Sequence, residues 1–140
     1  MALKGEIYKS TDNASSWSLE HTVSNVGDRI WDLVITNNTL VCLYQSSGPK
    51  LISAALSDTT DWSSAVNVTG TDNLSLGANA KRMAGGNGRV CVADGNLIAF
   101  DVSGKTITAQ TGRITLPDEG NFNCICTDGA GTWWTGSDGG

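Results

Sequence analysis

Few side chains in this sequence could make or break bonds. There is one histidine, His21, and there are two tyrosines, Tyr8 and Tyr44. A general base needs a positioned partner. The run Leu19-Glu-His-Thr-Val23 supplies none, so His21 reads as a strand residue. Of the four cysteines, Cys124 and Cys126 are two apart, which on a strand puts both on one face. Zinc sites join such a doublet to a second Cys or His pair at ligand spacing. No such pair is present, so we expect structural cysteines, no metal and no cofactor. Gly85-Gly-Asn-Gly88 lacks the Lys-Ser/Thr that completes a phosphate loop and reads as a hairpin turn. What remains is recognition: Arg and Asn beside an aromatic ring can hold a carboxylate or a sugar.

Such groups work together only if the backbone brings them to one surface, and here a repeat would do so. Gly131-Thr-Trp-Trp-Thr-Gly-Ser-Asp-Gly139 aligns under Gly88-Arg-Val-Cys-Val-Ala-Asp-Gly-Asn96 at an offset of 43 residues. Thr39-Leu-Val-Cys-Leu-Tyr44 joins the same column, 49 residues before Gly88. Asn-Asn, Asn-Gly and Asp-Gly stand before each run, and such pairs between apolar runs signal hairpins. A third run follows in two copies, Lys50–Leu56 and Asn96–Val102, and then a short fourth, Ala65–Val68 and Thr106–Ala109. Repeats of about 40 to 50 residues with four strands point to propeller blades.

The last copy stops at Gly140 after two strands, and the N-terminus holds two more, Gly5–Ser10 and Trp17–Val23. With Gly140 joined to Met1, the chain is a whole number of repeats. The expected fold is therefore all-β, a single domain over 1–140. It would hold about three blades of four antiparallel strands, over units 24–69, 70–110 and 111–140 plus 1–23. The N-terminal strands would complete the last blade of the same or a neighbouring chain, since an unpaired strand edge invites pairing. Three blades are fewer than the usual four to eight. We expect identical chains to join head to tail, two giving six blades. A fragment of a longer propeller, cut between strands, is the alternative.

Net charge is −5, with Lys81-Arg82 the only adjacent basic pair. That excludes the basic stripe of a nucleic-acid binder. No apolar run is long enough to cross a bilayer as a helix. Met-Ala-Leu-Lys-Gly-Glu lacks a signal peptide's apolar core, so export by that route is not expected and a cytoplasmic location is. Cys42 and Cys91 fall in one repeat column, between apolar neighbours, and read as buried small hydrophobes.

Ser10-Thr-Asp-Asn-Ala-Ser-Ser-Trp17 resembles the Asp-box of bacterial neuraminidase repeats, Ser/Thr-x-Asp-x-Gly-x-x-Trp. Ser10, Asp12 and Trp17 match, and Ala14 replaces the glycine. Ser57-Asp-Thr-Thr-Asp-Trp62 looks like a shortened copy. In such a box the short polar side chains fix the turn, and the Trp covers it with apolar area. We expect that structural role for Ser10, Asp12 and Trp17. The resemblance implies a β-propeller, as in sialidase-like and phage virion proteins, with its binding face where loops enter the first strand of each blade. Arg29, Trp31, Asp32, Lys81, Arg82, Asn121, Phe122 and Asn123 are the candidates on that face. Asp28, Gln45, Lys50, Asn79, Asp94, Asn96, Glu119 and Asp138 share the rim. The sialidase set of three arginines, a tyrosine–glutamate pair and an acid aspartate is not assembled: Arg89 is on the opposite face and neither tyrosine is on the rim. No enzyme is expected. The expected function is a non-catalytic structural, attachment or ligand-binding module of a phage virion, in the tail or on the capsid. A propeller lectin that binds carbohydrate, or a piece of a sialidase-like hydrolase, is the alternative. Partners would be further copies and other virion proteins, with no nucleic acid or membrane.

Overall fold

Apolar and β-branched runs, cut at short intervals by Asn, Gly and Asp, fold as strands joined by tight turns. The computed structural model describes residues 4–26, 28–68, 82–94, 96–114 and 122–137. Strands β1 (Lys4–Lys9) and β2 (Ser18–Val26) form a two-stranded sheet. Four strands follow as a meander: β3 (Arg29–Thr36), β4 (Thr39–Gln45), β5 (Pro49–Ala55) and β6 (Val66–Asn67). A second meander holds β7 (Arg82–Gly86), β8 (Arg89–Asp94), β9 (Asn96–Ser103) and β10 (Thr106–Ile114). Strands β11 (Phe122–Thr127) and β12 (Trp133–Ser137) form the last sheet, again two-stranded. Every strand pairing is antiparallel, and the described residues include no helix. The fold is all-β, and none of its sheets closes on itself.

The turns use the expected chemistry. Asn37 and Asn38 have φ of 45° and 57°, and Asn87 and Gly88 have 51° and 74°. Two successive left-handed residues make a turn whose twist matches the strands it joins.

Side-chain parity fixes how the sheets stack. Val41, Leu43 and Leu51 point from one face of the β3–β6 sheet into the main core. They meet Val90, Val92, Ile98 and Phe100 from the β7–β10 sheet. Cys42, Tyr44 and Ile52 alternate with the first set and face the other way, onto Ile7 and Val23 of the β1–β2 hairpin. On the far side of the β7–β10 sheet, Ala93 and Leu97 pack on Phe122, with Cys91 and Ile125 beside them. The order through the molecule is hairpin, full sheet, full sheet, hairpin. The first strands carry this contact: β3 lies against β7, and β7 against β11. Polar clasps hold the central seam. Met83 N–H donates to Asp32 Oδ2 at 2.8 Å, Gly88 N–H to Thr36 Oγ1 at 2.9 Å and Gly104 N–H to Thr39 Oγ1 at 3.0 Å. The strands come so close here that a Cβ at Gly85 would stand 3.3 Å from the Ile35 carbonyl oxygen and 3.0 Å from the Val34 side chain.

Two expectations need correcting. The N-terminal hairpin does not complete the last sheet of its own chain, because both full sheets lie between β1–β2 and β11–β12. The cysteine column is also out of register. The turn-closing pairs are Thr36↔Thr39 and Gly86↔Arg89, one residue further apart than the 49 read from the sequence. A one-residue slip turns every side chain to the other face. Cys42 thus points toward β1–β2, and Cys91 toward β11–β12.

Candidate functional site

The loop between β1 and β2 carries the box-like motif. Asp12 Oδ1 accepts from Ser16 N–H at 2.9 Å and from Ser10 Oγ–H at 2.7 Å, and Oδ2 accepts from Ser16 Oγ–H at 2.6 Å. Ala14 N–H donates to Ser10 Oγ at 2.9 Å. These bonds to the ionised form, those from Ser16 foremost, pull the Asp12 carboxyl down to about 2. Trp17, expected to cover this turn, is 61% exposed. The shortened copy does what the full box was expected to do. Trp62 folds over its own turn, donating Nε1–H to Thr59 O at 2.8 Å, and stacks on His21 at 4.9 Å between ring centroids. Burial there lowers the His21 pKa and favours the neutral ring. Thr59 Oγ1–H also bonds Glu20, so this loop is tied to β2.

The rim candidates do not gather into one described cavity. Trp31 and Asp32 sit together at the β3–β7 seam, where Trp31 packs against the main core and Asp32 accepts the Met83 N–H. Phe122 is buried in a separate cluster on the far side of the β7–β10 sheet. Arg29 is exposed. Arg82 and Asn123 are placed by backbone on β7 and β11, and Lys81 and Asn121 lie outside the described residues. Asp28, a rim neighbour, is buried, and its Oδ2 has no hydrogen-bond partner. Among the described residues no group of three or more His, Cys, Asp or Glu could hold a metal ion, and no helix is long and apolar enough to cross a membrane.

One concavity among the described residues was missed by rim reasoning. A groove of about 370 Å³ runs alongside β12, between the β11–β12 hairpin and the β7–β10 sheet. Cys91, Leu97 and Ala99 line one side, and Ile125, Trp133 and Thr135 the other. The lining is mainly apolar, with Arg89 and Thr135 as its polar members, and burial pushes the Cys91 thiol up to about 11, which keeps it protonated. The site offers shape and apolar surface, with no activated nucleophile. The available signal was Trp133 itself, a large aromatic in the column where the other copies carry Val or Leu.

Further apolar surface is exposed at the two ends of the stack. Tyr8 and Leu19 are cross-strand partners on the face of β1–β2 turned away from β3–β6, and are 50% and 52% exposed. Leu33 and Ile35 share the face of Cys42 and are 41% and 59% exposed. At the opposite end, Cys124, Cys126 and Trp134 present an exposed face of β11–β12. With this geometry in hand, comparison with family models, curated proteins and solved structures gave no match.

Proposed function

We propose that the chain is a non-catalytic, propeller-type module that serves as a structural or attachment component of a larger assembly built with further copies of itself. One observation carries this reading: two full four-stranded sheets are flanked by two half-sheets whose strands are complementary in kind. Strand β11 lies against β7 as β7 lies against β3, so β11 and β12 stand where the first two strands of each full sheet do, although their connection is a longer turn held by Asp128. Strands β1 and β2 are joined by an aspartate-held turn, like the third and fourth strands of the β3–β6 sheet. Added across two copies, they make one more full sheet. The box-like motif makes a phage virion tail or capsid the setting we favour. The apolar lining of the groove supports binding and not turnover. Native mass spectrometry tests the reading. Species at multiples of 14.6 kDa are expected, and a 14.6 kDa monomer at every concentration would overturn it. Turnover of a fluorogenic sialoside would overturn its non-catalytic part.

A further inference from the structure

We propose that the groove beside β12 is a docking slot for the β1–β2 hairpin of a second copy, with β1 of that copy adding antiparallel to β12. This rests on the self-assembling module proposed above and names the surfaces by which it assembles.

The argument starts at the strand edge. Among the described residues β12 pairs only with β11, and β1 only with β2. An edge strand presents a row of backbone donors and acceptors that a further strand can satisfy, while pockets for alternate side chains set specificity. In both full sheets the second strand pairs with a third that precedes a turn and a fourth strand. The strand β1 is of that third kind.

Side-chain parity then says what enters the slot. In the β7–β10 sheet, the third strand β9 turns Ile98 and Phe100 toward the sheet before it, onto Leu43 and Leu51. The corresponding face of the N-terminal hairpin carries Tyr8 and Leu19, half-exposed and, among the described residues, with no sheet over them. The slot that would receive them is lined by Cys91, Leu97 and Ala99. An exposed aromatic on one end and an apolar groove on the other are complementary in chemistry.

A second contact follows from the same repeat. Within the chain, Val34 on β3 stands against Gly85 on β7. The pair next to the turn-closing pair is Ile35↔Leu40 in one sheet and Gly85↔Val90 in the next, so Ile35 corresponds to Gly85. Val34↔Val41 corresponds to Ala84↔Cys91. Trp133 and Thr135 face the groove, as Val90 and Val92 face the sheet before theirs, so Cys126↔Trp134 is the next copy of that pair. The step that sets Val34 on Gly85 therefore sets Cys126 on Ile35 of the second copy. Ile35 and Cys126 are both exposed in the single chain, and this contact would cover both.

Two variants of the full chain test this. Tyr8→Lys with Leu19→Lys puts two charges into the apolar slot and should raise the dissociation constant between copies about 100-fold or more, seen as a fall in native mass to 14.6 kDa with the β-sheet circular dichroism kept. In a Cys124→Ser background, Ile35→Cys should form a disulfide with Cys126, the two thiols passing two electrons and two protons to dissolved oxygen, which leaves as hydrogen peroxide. Mixed isotope-labelled and unlabelled chains would show that the 35–126 link joins different copies. An assembly that keeps its mass in the lysine variant and gives no 35–126 link overturns the slot, and leaves the self-assembling module standing on another surface. A wild-type chain that stays monomeric overturns both. If the lysine variant does not fold, the 35–126 link alone decides.

Discussion

At Ala14 the backbone adopts φ of 65°, where a Cβ crowds the following carbonyl. The turn demands that geometry, because the neighbouring amides must reach Ser10 and Asp12. Ala14→Gly should therefore stabilise the protein by about 0.5 to 1 kcal/mol, read by urea denaturation. Acid should act at the same turn. The Asp12 carboxyl sits at about 2, below the unfolded value near 4. Its contribution is complete above that unfolded value and is lost as pH falls toward about 2. Asp128 is lowered by the N–H groups of Ala130 and Thr132, and Asp58 by Thr60, so these two turns also lose stability as pH falls below the unfolded carboxyl value. Thermal melts between pH 6 and pH 2 should show Tm falling mainly below pH 4, with a shallower fall in Asp12→Asn. The Ser10–Asp12 part of this turn was legible, since short polar side chains beside free amides leave few other arrangements. The exposure of Trp17 was not, because whether a ring folds over its turn depends on what packs behind it.

The full sheets draw their cohesion from the seam between them. Phe100 is 1% exposed among Leu43, Leu51 and Val92, and Phe100→Ala should cost about 3 to 5 kcal/mol by chemical denaturation. Asp32→Ala leaves the part-buried Met83 N–H without its acceptor and should cost about 1 to 3 kcal/mol, with faster hydrogen exchange at Met83. Asp32, read from the sequence as a ligand group, thus acts as a clasp between sheets. The strands and turns were legible because Asn37-Asn38 and Asn87-Gly88 have few conformations open to them between apolar runs. The register of β4 was not. Val41, Cys42, Leu43 and Tyr44 are all buried, so both faces are apolar and the alternation that reveals orientation is erased. The column slipped by one residue there, and Cys42 and Cys91 were placed on the same face when they lie on opposite ones.

At the scale of the whole molecule, the sheets form a row with two unlike ends. That the first and last sheets hold two strands each could be read from the repeat. Which surfaces those halves expose could not, because exposure depends on how the full sheets stack between them. Association through the ends would protect the β1 and β12 amides. Hydrogen exchange at Gly5–Lys9 and Trp133–Ser137 should therefore slow as protein concentration rises, while Val90–Val92 stays slow throughout. Unlike ends also separate giving from receiving. If copies join as proposed, one carrying Tyr8→Lys with Leu19→Lys would lose the plug and keep the socket, and could be joined from one side only. Mixed in trace amounts with the normal chain, it would act as a terminator, stalling unfinished particles and behaving in a mixed population as a dominant poison.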